Sequence, residues 1–182
     1  MRARNLRLIV AAVALFLHKP LAWAEPLTVE QAYADIPHVR PIFNFPIERL
    51  PDNEAAYLKE LFYWIDRAVK ERVETYLWLT SDSRKGDPVD EYPEILAGLE
   101  RLKPPAKLAD VHALTLEAVR EHQMLFQGWR SDPTTVSMID PLVGRSSQNL
   151  HTAYSRIVQI YDKVNPKNRQ AFYDYFCCLD FL

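Results

Sequence analysis

The sequence predicts an all-α protein: an up-and-down bundle of about four main helices, with a short N-terminal helix and a proline-rich strap. Three observations carry that expectation. Apolar residues recur every three or four positions over long stretches. Only 4 glycines stand in 182 residues, too few for the tight turns of a sandwich. Prolines fall where one apolar stripe stops and the next begins.

The N-terminus stands apart from this pattern. In "MRARNLRLIVAAVALFLHKPLAWA", Arg2, Arg4 and Arg7 precede an unbroken apolar run over 8–17, and Ala22-Trp23-Ala24 offers a small-x-small cleavage site. The run is about half the roughly 20 apolar residues that a spanning helix needs. Residues 1–24 therefore read as a secretory signal. Cleavage leaves one helical-bundle domain, 25–182, periplasmic or secreted, with no stable membrane anchor. Losing Arg2, Arg4, Arg7 and Lys19 leaves 18 basic against 24 acidic residues, a net charge of −6. An acidic chain without a basic run repels phosphate backbones, so nucleic acid is excluded as a partner.

Each element follows from local signals. Residues 28–36 form a short helix opened by a capping box, Thr28 with Gln31 three positions on. In "PHVRPIFNFPIERLP", residues 37–51, four prolines forbid regular structure, while Ile42, Phe43, Phe45, Ile47 and Leu50 ask to be buried. Such a segment lies across a bundle as a strap. Asp52 caps a long helix over 52–82, with Ala55, Leu58, Leu61, Phe62, Ile65, Val69, Val73, Tyr76 and Leu79 on one face. Tyr57, Tyr63, Trp64 and Trp78 point elsewhere, so this helix is apolar on more than one side. Gly86 stops it, and Asp87-Pro88 restart a helix through Leu102.

Pro104-Pro105 break the chain again, and Pro105 fits the first turn of the next helix. Its stripe is Leu108, Val111, Leu114, Ala118, Val119, Leu125, Phe126 and Trp129. "RSDPTTVSMIDPLVGR", residues 130–145, reads as a loop long enough for a lid or docking segment. Ser146 or Ser147 caps the following helix, striped by Leu150, Ala153, Tyr154, Ile157, Val158, Tyr161 and Val164. Asn165-Pro166 turn into a last helix through Phe172, Phe176 and Leu179. Short turns make neighbouring helices antiparallel.

Chemistry-bearing residues are few. His122 falls within the stripe of its helix, with Thr115 on the same face; a buried imidazole either bonds a hydroxyl or carbonyl or ligates a metal or haem. Arg72 sits within an apolar face and needs a partner, either a carboxylate from a neighbouring helix or one from a ligand. His122, Arg72 and Thr115 are thus the candidate ligand-binding residues. His122, His112 and His151 are the candidate metal set. No cofactor follows from the sequence. Di-iron bundles need Glu-x-x-His, but Ala109, Val119 and Gln148 stand three before the three histidines, and Cys-x-x-Cys-His is absent. A metal or non-covalent haem at His122 stays open.

Cys177 and Cys178 are adjacent, with Cα atoms about 3.8 Å apart, against the roughly 4.4–6.8 Å a disulfide spans. They read as packing. No Gly-x-Ser-x-Gly turn or phosphate loop supports nucleophilic catalysis. The expected function is an exported, non-enzymatic helical bundle that binds a periplasmic protein or a small ligand, with homo-oligomerisation left open. The alternative is a metal- or haem-binding bundle centred on His122.

Overall fold

A computed structural model describes residues 28–34, 50–80, 89–163 and 166–180. Within them run six α-helices: α1 Val29–Ala34, α2 Asp52–Thr80, α3 Tyr92–Arg101, α4 Ala109–Ser131, α5 Pro141–Ile160 and α6 Pro166–Leu179. There is no strand among the described residues, so the all-α expectation holds. The signal segment 1–24, all of the strap but Leu50 and Pro51, Gly86, Asp87-Pro88 and Val164-Asn165 lie outside the described residues.

The capping box of α1 forms in both directions. The Thr28 amide donates to Gln31 Oε1 at 2.9 Å, and the Gln31 amide to Thr28 Oγ1 at 3.2 Å. At α2 the Glu54 and Ala55 amides bond back to the Pro51 carbonyl at 3.0 and 2.9 Å. Asp52 therefore lies inside the first turn rather than at the cap, where its charge still suits the positive helix end. The predicted stripe of α2 is buried except at its margins, Ala55 half-buried and Tyr76 exposed. Tyr57 is buried from a second side, and Trp64 packs against the core.

Helix α3 begins later than Asp87-Pro88 implied. Pro93 occupies its first turn and the Asp90 carboxylate accepts the Tyr92 amide at 3.1 Å. Its contact with α2 depends on Gly98, where a Cβ would come within 2.3 Å of the Trp64 ring. A 3₁₀ turn, Ala106–Leu108, follows Pro105 and leads into α4.

The connection after α4 is shorter than the predicted 130–145 loop. Helical hydrogen bonding persists to Ser131 and resumes at Pro141, because Asp140 caps α5 by accepting the Leu142 amide at 2.8 Å. Residues 132–140 remain between the helices, with a 3₁₀ turn at Pro133–Thr135. Ser146 and Ser147 do not cap: both are buried inside α5.

Helix α2 packs on α4 and α6, α4 on α5, and α5 on α6, while α1 and α3 lie on α2. Between these helices lie Leu58, Leu61, Ile65, Val111, Val119, Leu150, Ile157 and Phe172, all essentially without solvent exposure. Phe62 of α2 stacks on Phe172 of α6, with ring centroids 5.7 Å apart. Among the described residues no helix is long and apolar enough to cross a membrane.

Candidate functional site

Helix α2 carries Arg72 inward, and α4 carries His122 to meet it. The Arg72 guanidinium donates from Nη2 to the Cys178 carbonyl at 2.8 Å, at the C-terminal end of α6. Unsatisfied carbonyls and the negative helix end make that a natural seat for a cation. One hydrogen-bond partner of Arg72 is thus a helix end, and the Asp180 carboxylate adds a favourable charge. Burial pulls the Arg72 pKa below its ordinary value. His122 is wholly buried; desolvation, and then the Arg72 charge, push its pKa down to about 3. It is a neutral imidazole at working pH. The Thr115 hydroxyl donates to the Val111 carbonyl of its own helix at 2.7 Å.

The three candidate metal ligands go to three places. His112 Nδ1 lies 2.9 Å from Tyr57 Oη, and burial lowers its pKa. His151 Nε2 lies 3.0 Å from Asp180 Oδ2. His122 faces Arg72. Among the described residues no group of three His, Cys, Asp or Glu side chains is placed to hold a metal ion. Ser147, Asp180 and His151 do gather, but Ser147 Oγ donates at 2.9 Å to the same aspartate oxygen that His151 approaches. An activated serine needs its proton directed at the imidazole, and this one is spent on the carboxylate. Both cysteines are half-buried, and burial pushes the Cys178 thiol up to about 11, which leaves it unreactive.

A buried polar network escaped the sequence reading. Glu71 is only 2% exposed, and its Oε1 accepts from Thr75 Oγ1 at 3.2 Å and from Arg130 Nη2 at 3.2 Å. Arg130 also donates to Thr75 Oγ1 at 2.9 Å and reaches Asp90 at 3.6 Å. Burial raises the Glu71 pKa to about 7 against the opposing charge of Arg130. The nearby Tyr92 hydroxyl is buried without a hydrogen-bond partner among the described residues. The signal was present: a helix apolar on two sides must bury whatever polar residues fall between its stripes. At the opposite end of α2, Glu54 joins Lys107 at 2.8 Å and Tyr161 Oη at 2.8 Å.

A surface groove lies between α5 and α6. Tyr154, Pro166, Arg169, Gln170 and Tyr173 line an open groove of about 500 Å³, within the size range of small-ligand sites. The tyrosine rings stand 77° apart with centroids at 5.6 Å, presenting one face and one edge, and Tyr173 is 48% exposed. Arg169 spends one donor on the Asp162 carbonyl at 3.3 Å, which leaves other guanidinium N–H groups to offer. The Gln170 amide nitrogen is committed to Asp174 at 2.6 Å, leaving its oxygen as an acceptor. Two rings beside a cation suit a flat or apolar body that carries a carboxylate. Periodicity could not reveal it, because Tyr154 reads as core and Tyr173 lies off the stripe of its helix.

No protein-family model, curated protein or solved structure gives a match to this chain.

Proposed function

We propose that this chain is an exported, non-enzymatic helical bundle whose four long helices alternate up and down, and that it binds a carboxylate-bearing ligand in the α5–α6 groove. The observation that carries the reading is the groove itself: paired tyrosines beside Arg169, whose guanidinium keeps N–H groups to offer. Export rests on the basic start, apolar run and Ala-Trp-Ala site of residues 1–24. The way Ser147, His151 and Asp180 are wired supports binding over turnover. A metal or haem at His122 has less support, because Arg72 already places a positive charge beside that imidazole.

The test has two arms. Expressed with its own leader in a Gram-negative host, the chain is expected in the periplasmic fraction with Glu25 at its N-terminus; retention of residues 1–24 contradicts export. A crystallographic screen of small aromatic carboxylates is expected to seat hits between Tyr154 and Tyr173, with the carboxylate on Arg169. Hits only elsewhere, or unchanged hits in Arg169→Glu, contradict the groove.

A further inference from the structure

The groove between α5 and α6 has two polar poles that are pulled apart. Pro166 and Tyr173 of α6 lie about two turns apart and nearly in line, and the neighbours Arg169 and Gln170 flank that line, diverging by about 100°. Arg169 reaches back, donating from Nη2 to the Asp162 carbonyl at 3.3 Å in the turn before α6. Gln170 reaches forward, donating from Nε2 to Asp174 Oδ1 at 2.6 Å, one turn further along the helix. Tyr154 of α5 stands opposite, its ring centroid 5.6 Å from that of Tyr173.

Asp174 decides which way the Gln170 amide turns. It is only 5% exposed, and its Oδ2 has no hydrogen-bond partner among the described residues. A carboxylate removed from water holds hard to the donor it has, and it can only accept. The amide must therefore give its nitrogen to Asp174 and keep its oxygen for the groove that Gln170 lines. The two poles then ask for opposite things. Arg169 has only donors and takes an anion, while Gln170 Oε1 can only accept and takes an N–H or O–H. We propose, on the reading that this groove binds a carboxylate, that its ligands are aromatic acids carrying a hydroxyl or amino donor at the end opposite the acid. Gln170 is then the specificity-determining residue, and Asp174 the residue that positions it. The acid meets Arg169 near the turn, the donor meets Gln170 Oε1 along the helix, and the ring lies against Tyr173. An ether at the donor's place would set two acceptors face to face and lose the bond. A donor beside the acid gains nothing, since it stays at the Arg169 pole.

Dissociation constants from NMR titration of the protein test this with four acids: phenylacetate, its 4-hydroxy and 4-methoxy derivatives, and mandelate, whose hydroxyl sits beside the carboxylate. The 4-hydroxy acid is expected to bind roughly fivefold tighter than phenylacetate, with the 4-methoxy acid and mandelate no tighter than phenylacetate. Gln170→Met should bring the 4-hydroxy and unsubstituted acids to equal affinity. In Asp174→Asn the new amide can donate as well as accept, so Gln170 is free to turn either way. The preference for hydroxyl over methoxy should shrink there, while phenylacetate binds as before. Four acids that bind alike, or a mandelate gain equal to that of the 4-hydroxy acid, overturn the selection and leave the groove standing. No shifts at Tyr154 and Tyr173 with any acid take both down. A hydroxyl preference intact in Gln170→Met overturns the role of Gln170, and one intact in Asp174→Asn the role of Asp174. Should a variant fail to fold, the wild-type series decides alone.

Discussion

Glu71 and His122 are buried titratable groups on packed helices, and their protons drive stability in opposite directions. The Glu71 pKa is raised from 4.5 to about 7, so its contribution is full below pH 4.5 and is lost as pH rises to about 7. The His122 pKa is lowered from 6.5 to about 3, so its contribution is full above pH 6.5 and is lost as pH falls toward 3. Between pH 4.5 and 6.5 the two slopes oppose each other. Urea unfolding of Glu71→Gln should therefore show stability climbing with pH across that window, and His122→Leu should show it falling, by up to roughly 3 kcal/mol. Parallel profiles in the two variants would contradict the assignment. Gly98 gives a steric test at the same scale. Gly98→Ala drives a methyl into the Trp64 ring and should cost about 1–3 kcal/mol, less when combined with Trp64→Leu. Equal costs in both backgrounds would mean that the ring is not the obstacle. His122 and Arg72 could be picked out in the sequence because each breaks an apolar stripe. Glu71 carried only the weaker signal of lying between the two apolar sides of α2, where it resembles an ordinary surface residue.

At the scale of elements, caps decided which boundaries were legible. The Thr28–Gln31 box could be read directly, since both halves lie three residues apart and both bonds form. Asp140-Pro141 carries an equally local signal, yet the run of turn-forming residues before it disguised the helix start as loop. Tyr92-Pro93 likewise outweighed Asp87-Pro88, because Asp90 captures the Tyr92 amide. The hierarchy at α5 is testable. Asp140→Ala should lower stability by about 0.5–2 kcal/mol, whereas Ser146→Ala, which removes only a bond to the Val143 carbonyl, should cost less. Thermal melts giving the reverse order would restore Ser146 as the cap.

For the whole molecule, hydrophobic period was enough to predict an all-α fold, since most stripe residues among the described ones are buried, from Leu58 and Ile65 in α2 to Phe172 and Phe176 in α6. What period does not encode is which polar groups meet across helices. Glu54 finds Tyr161, 107 residues away, and Arg72 finds the Cys178 carbonyl, 106 away. The groove is of the same kind, for Tyr154 and Tyr173 become one site only when α5 and α6 pack. The most direct test of binding there is an NMR titration of the protein with 4-hydroxyphenylacetate, beside its uncharged amide. The predicted result is a set of shifts centred on Tyr154, Arg169, Gln170 and Tyr173, weaker by about tenfold with the amide and abolished by Arg169→Glu. Shifts that lie elsewhere, or that treat acid and amide alike, would contradict it.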